Sequence, residues 1–364
     1  EVGDQIVLAD YARTWATNAV TLDSNGNNFQ GNADTYTVEY STVGQSLNIV
    51  YADSTKGWLP VSDDAVAFDH GAPPTQKGIF AFGTTGSYTN ISNLVSSSGV
   101  VASDVTGVGD NKIQLLGATY GGDKGIFGFG DAGGYSAITN LVNNSGVVAS
   151  NVAGVGTARA HGASSGYGDD LAIYAFGTAS SAKTAVSNKI NNSGVVASDT
   201  SASGTAKNGC AGVRYGSTGQ AVISFGANAA ENYVNARNLI SNTGVVASDA
   251  SGAGTARQGL AATSYGGDKA IFAYGTDNSA VNMSNLVNNS GVVGADVTGV
   301  GTARFYPSAT NYGGDKGLFA FGNTGSSRVN TRNLVNNSGV IAADASGAGT
   351  ARGALAGLGF SYSA

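Results

Sequence analysis

The chain has few of the residues that commonly form covalent links or bind metals. Its 364 residues include one cysteine, one methionine, two histidines, two tryptophans and four prolines. Because Cys210 is the only cysteine, a disulfide within the chain is excluded, and stability must come from a hydrophobic core. The lone cysteine leaves the redox compartment open.

Charge and long apolar runs are also scarce. Charged residues make up 12% of the chain and the formal net charge is −6, which gives no electrostatic footprint for DNA or RNA. No polybasic stretch suggests an anionic membrane surface, and no apolar run is long enough for membrane insertion. The chain starts at Glu1 without the apolar region of a signal peptide, so we expect a processed protein or a piece of a longer one.

Glycine, in contrast, is abundant, with 56 residues. A polar chain so rich in glycine could be disordered, but a hydrophobic content of 41% argues against disorder. The remaining class is an all-β protein with many tight turns, because glycine supplies the positive φ angles that such turns need.

One phrase recurs through most of the chain. Aligning the sequence on SGVVASD and its variants places a glycine at intervals of 47, 48, 50, 47 and 48 residues, at Gly99, Gly146, Gly194, Gly244, Gly291 and Gly339. A second phrase, YGGDKGIFGFG from Tyr120, returns with small changes in later units. Periods of this size indicate a repeat architecture, here with six units.

Each unit predicts four short strands. In the fifth unit, QGLAATSY is an apolar strand and GGD is a turn, and KAIFAYG then alternates Ile271 and Ala273 with Phe272 and Tyr274, as a half-buried strand does. A variable polar loop follows, and then MSNLV, the turn NNSG and the strand VVGADV. TGVGTAR links to the next unit, and no unit has the periodicity of a helix.

Four antiparallel strands repeated six times predict a six-bladed β-propeller, with one blade for each unit. A β-helix or other solenoid is the alternative, although its repeats are usually shorter, about 20–30 residues. The phrase TARQGLAATSYGGDKAIFAYG resembles a kelch repeat in its order of arginine, small-residue strand, turn and aromatic strand. The Tyr and Trp typical of kelch repeats are replaced by Asn-Leu-Val and Gly-Val-Val. The resemblance is therefore to the blade plan, over roughly residues 65–364, and it implies that the alanine-rich strand is innermost, where small side chains suit a crowded axis.

The end of the chain is predicted to complete the first blade. The C-terminal ARGALAGLGFSYSA copies the first strand of a unit, whereas the first unit has a poor copy with Pro73 and Pro74 in place of Gly-Gly-Asp. A strand at residues 353–362 would close the propeller and remove an open sheet edge. The predicted domains are residues 1–62, a small β-domain, and residues 63–364, the propeller.

The small β-domain lacks the repeat. Its short strands are predicted in five stretches, GDQIVLAD, NAVTLD, TYTVEY, LNIVYA and KGWLPV. NGNNFQGNAD and VYADSTKGW resemble a domain of structural, often tail-fibre-like, proteins of marine and cyanobacterial bacteriophages, and the repeat phrases resemble repeats in structural proteins of such phages. Together the two resemblances span almost the whole chain, and they imply a virion component.

Ionisable residues that recur with the repeat are predicted to be structural. The cations of the GTAR phrase occur once in a unit, so they are spread round the ring, and we expect hydrogen bonds between blades from Arg159, Arg257, Arg304, Arg352 and the equivalent Lys207. Carboxylates in the GGDK turns are expected to cap backbone N–H groups, with calcium as the alternative, at Asp123, Asp268 and Asp315. No carboxylate pair stands out for glycoside hydrolysis.

The two histidines suggest one metal hypothesis. A copper site of the galactose-oxidase type, on a kelch-like propeller, would use two histidines and a cysteine linked to a tyrosine. His70 and His161, however, occupy positions where other units have unrelated residues. We therefore predict a structural turn or strand role for both, and neither a metal nor a cofactor.

Binding is predicted where the repeat fails. The loops after each FG phrase differ in every unit, and we expect them at one end of the propeller, placed by a rigid scaffold. Tyr88, Tyr135 and Tyr233 lie in these loops, and a tyrosine ring can stack on a sugar or anchor a protein contact. Tyr306, in RFYPSATNY, breaks the pattern on the expected inner strand. These four tyrosines are the candidate ligand-binding residues; the alternative is that they are ordinary exposed tyrosines.

The sequence thus predicts a phage structural or fibre-type protein on the virion surface that recognises a host surface or decorates the particle, without enzymatic activity. We expect as partners other virion proteins, further copies of the chain (for example in a trimer), and a host glycan or protein, but not nucleic acid. A bacterial carbohydrate-binding adhesin is the first alternative, and an enzyme on a propeller is the second.

Overall fold

The computed structural model describes residues 1–35, 37–63 and 76–361. The chain divides into two compact units, Glu1–Pro73 and Pro74–Ala364, whereas the sequence predicted a boundary after residue 62. The division, like His70 and the two prolines of the first repeat, lies outside the described residues. All regular secondary structure within the described ranges is β-strand, which makes the protein all-β.

The first unit contains one strand in each of the five predicted stretches. They are β1 (Gln5–Ala9), β2 (Val20–Leu22), β3 (Val38–Tyr40), β4 (Ser46–Asp53) and β5 (Gly57–Asp63). Antiparallel pairing joins β1, β4 and β5 in one sheet and β2 with β3 in another. Their inward side chains form a small core around Phe29, Tyr40 and Leu47.

The second unit contains six antiparallel sheets of one plan, in which the first strand of a repeat pairs with the second and the second with the third. Sheets I to III consist of β28 (Ala356–Phe360), β6 (Lys77–Ala81) and β7 (Ser92–Val95); β8 (Leu116–Tyr120), β9 (Lys124–Gly128) and β10 (Thr139–Val142); and β11 (Ala163–Tyr167), β12 (Leu171–Ala175), β15 (Val186–Ile190) and β16 (Thr200–Ser201). Sheets IV to VI consist of β18 (Ala211–Tyr215), β19 (Gln220–Ser224) and β21 (Arg237–Ile240); β22 (Ala261–Tyr265), β23 (Lys269–Ala273) and β24 (Ser284–Val287); and β25 (Ser308–Tyr312), β26 (Lys316–Ala320) and β27 (Arg332–Val335). Two minor pairs are β13 (Thr178–Ala179) with β14 (Ala182–Lys183), and β17 (Lys207–Asn208) with β20 (Ala227–Asn228).

The first strands of the sheets, which we call the inner strands, follow one another in a cyclic order. Each inner strand contacts the next one in chain order, and the last also contacts the first; the order is β8, β11, β18, β22, β25, β28 and again β8. The strand β28, at the end of the chain, pairs with β6 from Ala356↔Ala81 to Phe360↔Lys77. Sheet I is therefore built from both ends of the repeat region, and its inner strand has a neighbour on each side.

The turns between the inner and second strands form a closed set of six hydrogen bonds, which we call the turn-side cycle. In each bond a backbone N–H of one sheet donates to a backbone carbonyl of the next. The bonds run from Gly121 to Asp170 (2.7 Å), Gly168 to Gly219 (2.7 Å), Gly216 to Asp268 (2.7 Å), Gly266 to Asp315 (2.8 Å), Gly313 to Gln76 (2.9 Å) and Ser361 to Asp123 (2.8 Å). Each sheet is thereby joined to both of its neighbours.

Small residues on the inner strands reflect the close approach of neighbouring sheets. A Cβ added at Gly357 would lie 2.5 Å from the carbonyl oxygen of Ala309, and one added at Gly212 would lie 2.7 Å from that of Ser164. Real Cβ atoms do not approach an oxygen so closely, so these positions require glycine. Between adjacent sheets the core consists of aliphatic side chains with edge-to-face aromatic pairs such as Phe82 with Phe127.

The prediction of four full strands in each repeat was wrong for the fourth strand. Within the described residues only sheet III has one, β16, and the corresponding segment elsewhere makes two isolated bridges, as Val148 and Val152 do in sheet II. A buried asparagine of the third strand lies between the two bridges. Asn140 donates its side-chain amide to the carbonyl of Ala149 (3.1 Å) and to Asn151 Oδ1 (3.0 Å), and Asn188 makes the equivalent bonds in sheet III, so the asparagine holds the outermost segment beside the third strand in sheets with and without a fourth strand.

Candidate functional site

The loops that differ from repeat to repeat all emerge beside the starts of the inner strands. Each loop begins with a residue that forms a bridge to the segment just before an inner strand, as Asp131 does with Ile113. Most loops then return on themselves through a second bridge, as Thr84 does with Tyr88. The variable segments are therefore short hairpins anchored at the same end of the sheets, opposite the turn-side cycle.

Six backbone hydrogen bonds form a second closed set beside these hairpins, which we call the loop-side cycle. Each member lies two residues before an inner strand, and its N–H donates to the carbonyl of the preceding member. The bonds run from Gln114 to Ala354 (2.8 Å), His161 to Gln114 (3.0 Å), Gly209 to His161 (2.8 Å), Gly259 to Gly209 (2.9 Å), Tyr306 to Gly259 (2.6 Å) and Ala354 to Tyr306 (3.1 Å).

All six members of the loop-side cycle have left-handed backbone conformations, with φ between 49° and 62°. Glycine adopts this region without strain, but only two members are glycine. For other residues the left-handed conformation costs about 1 kcal/mol or more. The backbone is therefore strained at the four members that are not glycine, Gln114, His161, Tyr306 and Ala354, although the cycle also accepts glycine at this position.

Two aromatic side chains of the loop-side cycle meet, although they belong to sheets III and VI. The ring centroids of His161 and Tyr306 are 5.7 Å apart, and the Phe305 ring lies 5.5 Å from that of Tyr306. The Tyr306 ring also lies against Gly259, where an added Cβ would be 3.0 Å from a ring carbon. Because Tyr306 is two residues before β25, the prediction that it lies on the inner strand was wrong; its left-handed backbone precedes the strand.

Burial controls the protonation of this pair. Burial lowers the pKa of His161 to about 4, while Asp131 raises it and Lys183 lowers it to smaller extents. The imidazole is therefore neutral at physiological pH. Burial also raises the pKa of Tyr306, and nearby Tyr233 adds to that rise.

The structure connects three of the four predicted tyrosines to this pair. The hydroxyl of Tyr88, which is 36% exposed, donates to Asp131 Oδ2 at 3.4 Å, and Asp131 interacts electrostatically with His161. Tyr233 interacts with Tyr306 in the same way. Tyr135 is 38% exposed and lies on the hairpin of Asp131, where its backbone pairs with that residue.

Sequence reasoning did not select His161, Gln114 or Asp131 as candidate binding residues. His161 was considered only as a copper ligand. A usable signal was present, because the alignment column just before the repeated inner strand contains Gln, His, Gly, Gly, Tyr and Ala in successive units. Variation at one column of an otherwise regular repeat marks a position that the fold does not dictate.

A concave feature lies at the other end of the inner strands. A cavity of about 820 Å³ is lined by the inner strands and by the turns that follow them. Its wall is mostly glycine, alanine and small hydroxyl residues, and its larger polar side chains include Lys124, Arg214 and Asn311. The Arg214 guanidinium donates to the backbone carbonyl of Asp169 at 3.4 Å.

The recurrent cations lie buried between sheets, in contact with an aromatic ring of the preceding sheet. Arg159 lies 4.3 Å from the centroid of the Phe129 ring, and its Nε donates to the carbonyl of Phe176 in its own sheet at 2.9 Å. The six cation–ring pairs are Lys112–Phe82, Arg159–Phe129, Lys207–Phe176, Arg257–Phe225, Arg304–Tyr274 and Arg352–Phe321. The expected hydrogen bonds between sheets are thus replaced by cation–π contacts, because the guanidinium donors are directed into their own sheet.

The turn aspartates also differ from expectation. Their carboxylates pair with the ammonium of the following lysine, at 2.9 Å for Asp123, 2.8 Å for Asp268 and 2.6 Å for Asp315, and do not mainly cap backbone N–H groups. It is their backbone carbonyls that join neighbouring sheets, as members of the turn-side cycle. The reason is proximity, since the lysine is adjacent in sequence and partly exposed.

Cys210 lies in an apolar cluster with Phe176 and Ile223, and burial raises the pKa of its thiol to about 11. In the described part of the chain, no three His, Cys, Asp or Glu side chains converge in a way that could hold a metal ion. Residues 1–35, 37–63 and 76–361 contain no helix that is long and apolar enough to cross a membrane.

No protein-family model matches the chain, and no curated protein matches it in sequence.

Proposed function

We propose that the second unit is a six-bladed β-propeller with a kelch-like blade plan, in which each sheet is a blade. Three observations support this architecture. The inner strands contact one another in cyclic order, two sets of six hydrogen bonds close on themselves, and one buried cation lies at each of the six junctions. Pairing of β28 with β6 would join the two ends of the repeat region in one blade.

The function that the geometry supports best is recognition of an external surface by the face that carries the variable hairpins. One observation carries this proposal. Residue types vary at the hairpins and at the loop-side cycle, which lie at the same end of the sheets, while the cations, turns and inner strands repeat. A rigid scaffold that varies only at one face is typical of a binding protein. The recurrent ionisable groups are engaged in contacts within the scaffold, so the role is non-covalent binding.

The biological setting in this proposal is the surface of a bacteriophage. The support is the similarity of the repeat phrases, and of NGNNFQGNAD and VYADSTKGW in the first unit, to structural proteins of marine phages. In this setting the first unit attaches the propeller to other virion proteins or joins copies of the chain, for example as a trimer. The propeller then recognises a host glycan or protein, or decorates the particle.

Binding to intact host cells tests the proposal. The wild-type protein is compared with a variant in which Tyr88, Tyr135 and Tyr233 are all alanine, and with a control, Tyr11→Ala, that changes a tyrosine of the first unit that is 99% exposed. Saturable binding that is lost only in the triple variant, with an unchanged circular dichroism spectrum, would support recognition by the hairpins. Absence of binding by the folded wild-type protein would contradict recognition of those hosts and favour a decorating role.

A further inference from the structure

We propose that the loop-side cycle is the floor of a subsite for one neutral sugar residue, with Tyr306 and His161 as its principal contacts. The proposal deepens the recognition function proposed above and rests on it. It names the class of ligand, a neutral carbohydrate, and places the subsite over the cycle, where the hairpins of several blades surround it.

Backbone strain is the first argument. Glycine at Gly209 and Gly259 shows that the cycle closes without any side chain at these positions. Tyr306 and His161 nevertheless occupy the left-handed region at φ values of 49° and 59°. Strained residues that the scaffold does not require are concentrated at functional sites, so these side chains are retained for something other than folding.

The shape of the aromatic cluster is the second argument. The Tyr306 ring is supported by Gly259 on the cycle and by the edge of Phe305, 5.5 Å away, and the His161 ring is inclined to it by 59°. Both side chains are only partly buried. A rigid, supported and partly exposed aromatic ring is a suitable surface for the apolar C–H face of a pyranose.

Unused hydrogen-bonding groups are the third argument. Among the described residues, neither the imidazole of His161 nor the hydroxyl of Tyr306 makes a side-chain hydrogen bond. A neutral imidazole offers one donor and one acceptor, and a phenol offers both functions. Asp131 Oδ2, near His161, accepts only a long 3.4 Å bond from Tyr88. This set of donors and acceptors matches the paired hydroxyl groups of a sugar.

Charge selects a neutral sugar over an acidic one. The ionised groups that act on His161 are Asp131 and Lys183, and Lys183 forms an ion pair with Glu231. The local balance is therefore one positive against two negative charges, which disfavours a carboxylate or phosphate on the ligand.

The test measures binding of the full chain to a panel of neutral oligosaccharides and sialylated oligosaccharides, first on a glycan array and then by calorimetry. The key variants are His161→Gly and Tyr306→Gly, because the cycle already contains glycine at two positions and both changes relieve strain. We expect at least one neutral oligosaccharide to bind, and each variant to bind it about tenfold or more weakly. We expect no fall in Tm for His161→Gly.

Tyr11→Ala is the matched control, since it removes a tyrosine of the first unit that is 99% exposed and lies outside the proposed subsite. Its affinity for the neutral sugar should equal that of the wild type. The proposal is overturned if the glycine variants keep full affinity, if only sialylated sugars bind, or if no sugar on the panel binds. Host-cell binding without sugar binding would overturn the sugar subsite alone and leave the recognition function intact. Loss of both would contradict both proposals.

Discussion

Exchanging Asp110 and Asn151 for Thr and Asp should stabilise the protein only when both changes are made together. In sheet III, Thr157 lies in the linker that precedes the inner strand, and Asp199 lies in the outermost segment, after the third strand. Thr157 donates to Asp199 from its N–H (3.0 Å) and from its hydroxyl (2.6 Å). Sheets I, IV, V and VI have the same Thr–Asp pair. In sheet II the carboxylate is on the linker instead, and the N–H of Asp110 donates to Asn151 Oδ1 at 3.3 Å.

The magnitude follows from the contacts of the other sheets. A hydroxyl that donates to a carboxylate contributes about 1.5–3 kcal/mol, which we reduce to about 1–2 kcal/mol because the equivalent aspartates are about one-third exposed. Asn151→Asp alone would place two carboxylates side by side and destabilise by about 1 kcal/mol. Asp110→Thr alone removes a carboxylate that supports the buried ammonium of Lys112. The two changes should therefore show a favourable coupling of about 2 kcal/mol.

A double-mutant cycle measures this coupling by urea denaturation of four proteins at pH 7. Circular dichroism is the better probe, because both tryptophans, Trp15 and Trp58, lie in the first unit and report on that unit alone. The reverse exchange in sheet III, with Thr157→Asp and Asp199→Asn, is the matched control and should show coupling of the same sign. Additivity within about 0.5 kcal/mol, or stabilisation by Asn151→Asp alone, would refute the reasoning.

Three further predictions concern the scaffold. Burial lowers the pKa of Lys112 from 10.5 to about 8, so between these pH values the unfolded chain holds a proton that the folded chain has lost. The free energy of unfolding should therefore rise from about pH 8 to 10.5. Denaturation should show that Lys112→Met removes this rise, while Lys77→Met, at an exposed site, does not. Arg257→Lys should lower the free energy of unfolding by about 2 kcal/mol. The reason is that the guanidinium donates to the carbonyl of Tyr274 at 2.8 Å and to Asn285 Oδ1 at 2.7 Å, and contacts the Phe225 ring of the preceding sheet. An unchanged denaturation midpoint would contradict that role. Gly357→Ala should destabilise the protein by about 3 kcal/mol or more, because the new Cβ would lie 2.5 Å from the carbonyl oxygen of Ala309. The control, Gly134→Ala, has open space around the added Cβ and should have little effect on Tm.

Local patterns predicted the strands that depend on neighbours in sequence. The hairpin from Tyr120 to Lys124 follows from alternating side chains on either side of a glycine turn, and the same reasoning located all five strands of the first unit. The prediction failed for the fourth strand. There the outermost segment is held by two isolated bridges and by the side-chain amide of Asn140, contacts that the pattern of apolar residues does not reveal.

The candidate site was predictable only in part. Tyr88, Tyr135 and Tyr233 could be selected because the loops around them vary, and the hairpins do lie at one end of the sheets. That His161 approaches Tyr306 could not be predicted, since 145 residues separate them and no local pattern connects their positions. Their contact exists only because the sheets follow one another round a closed order.

The sequence by itself determined the class of secondary structure, the six repeats and the pairing within each sheet, because a hairpin depends on a turn and on residues a few positions away. Only the tertiary structure decided which residues of different repeats meet. The hydroxyl of Thr119 in sheet II donates to the carbonyl of Gly359 in sheet I across 240 residues, and the loop-side cycle requires one residue from each of six sheets. The physical reason is that such contacts depend on how the sheets pack and on the order in which they close, which no single repeat encodes.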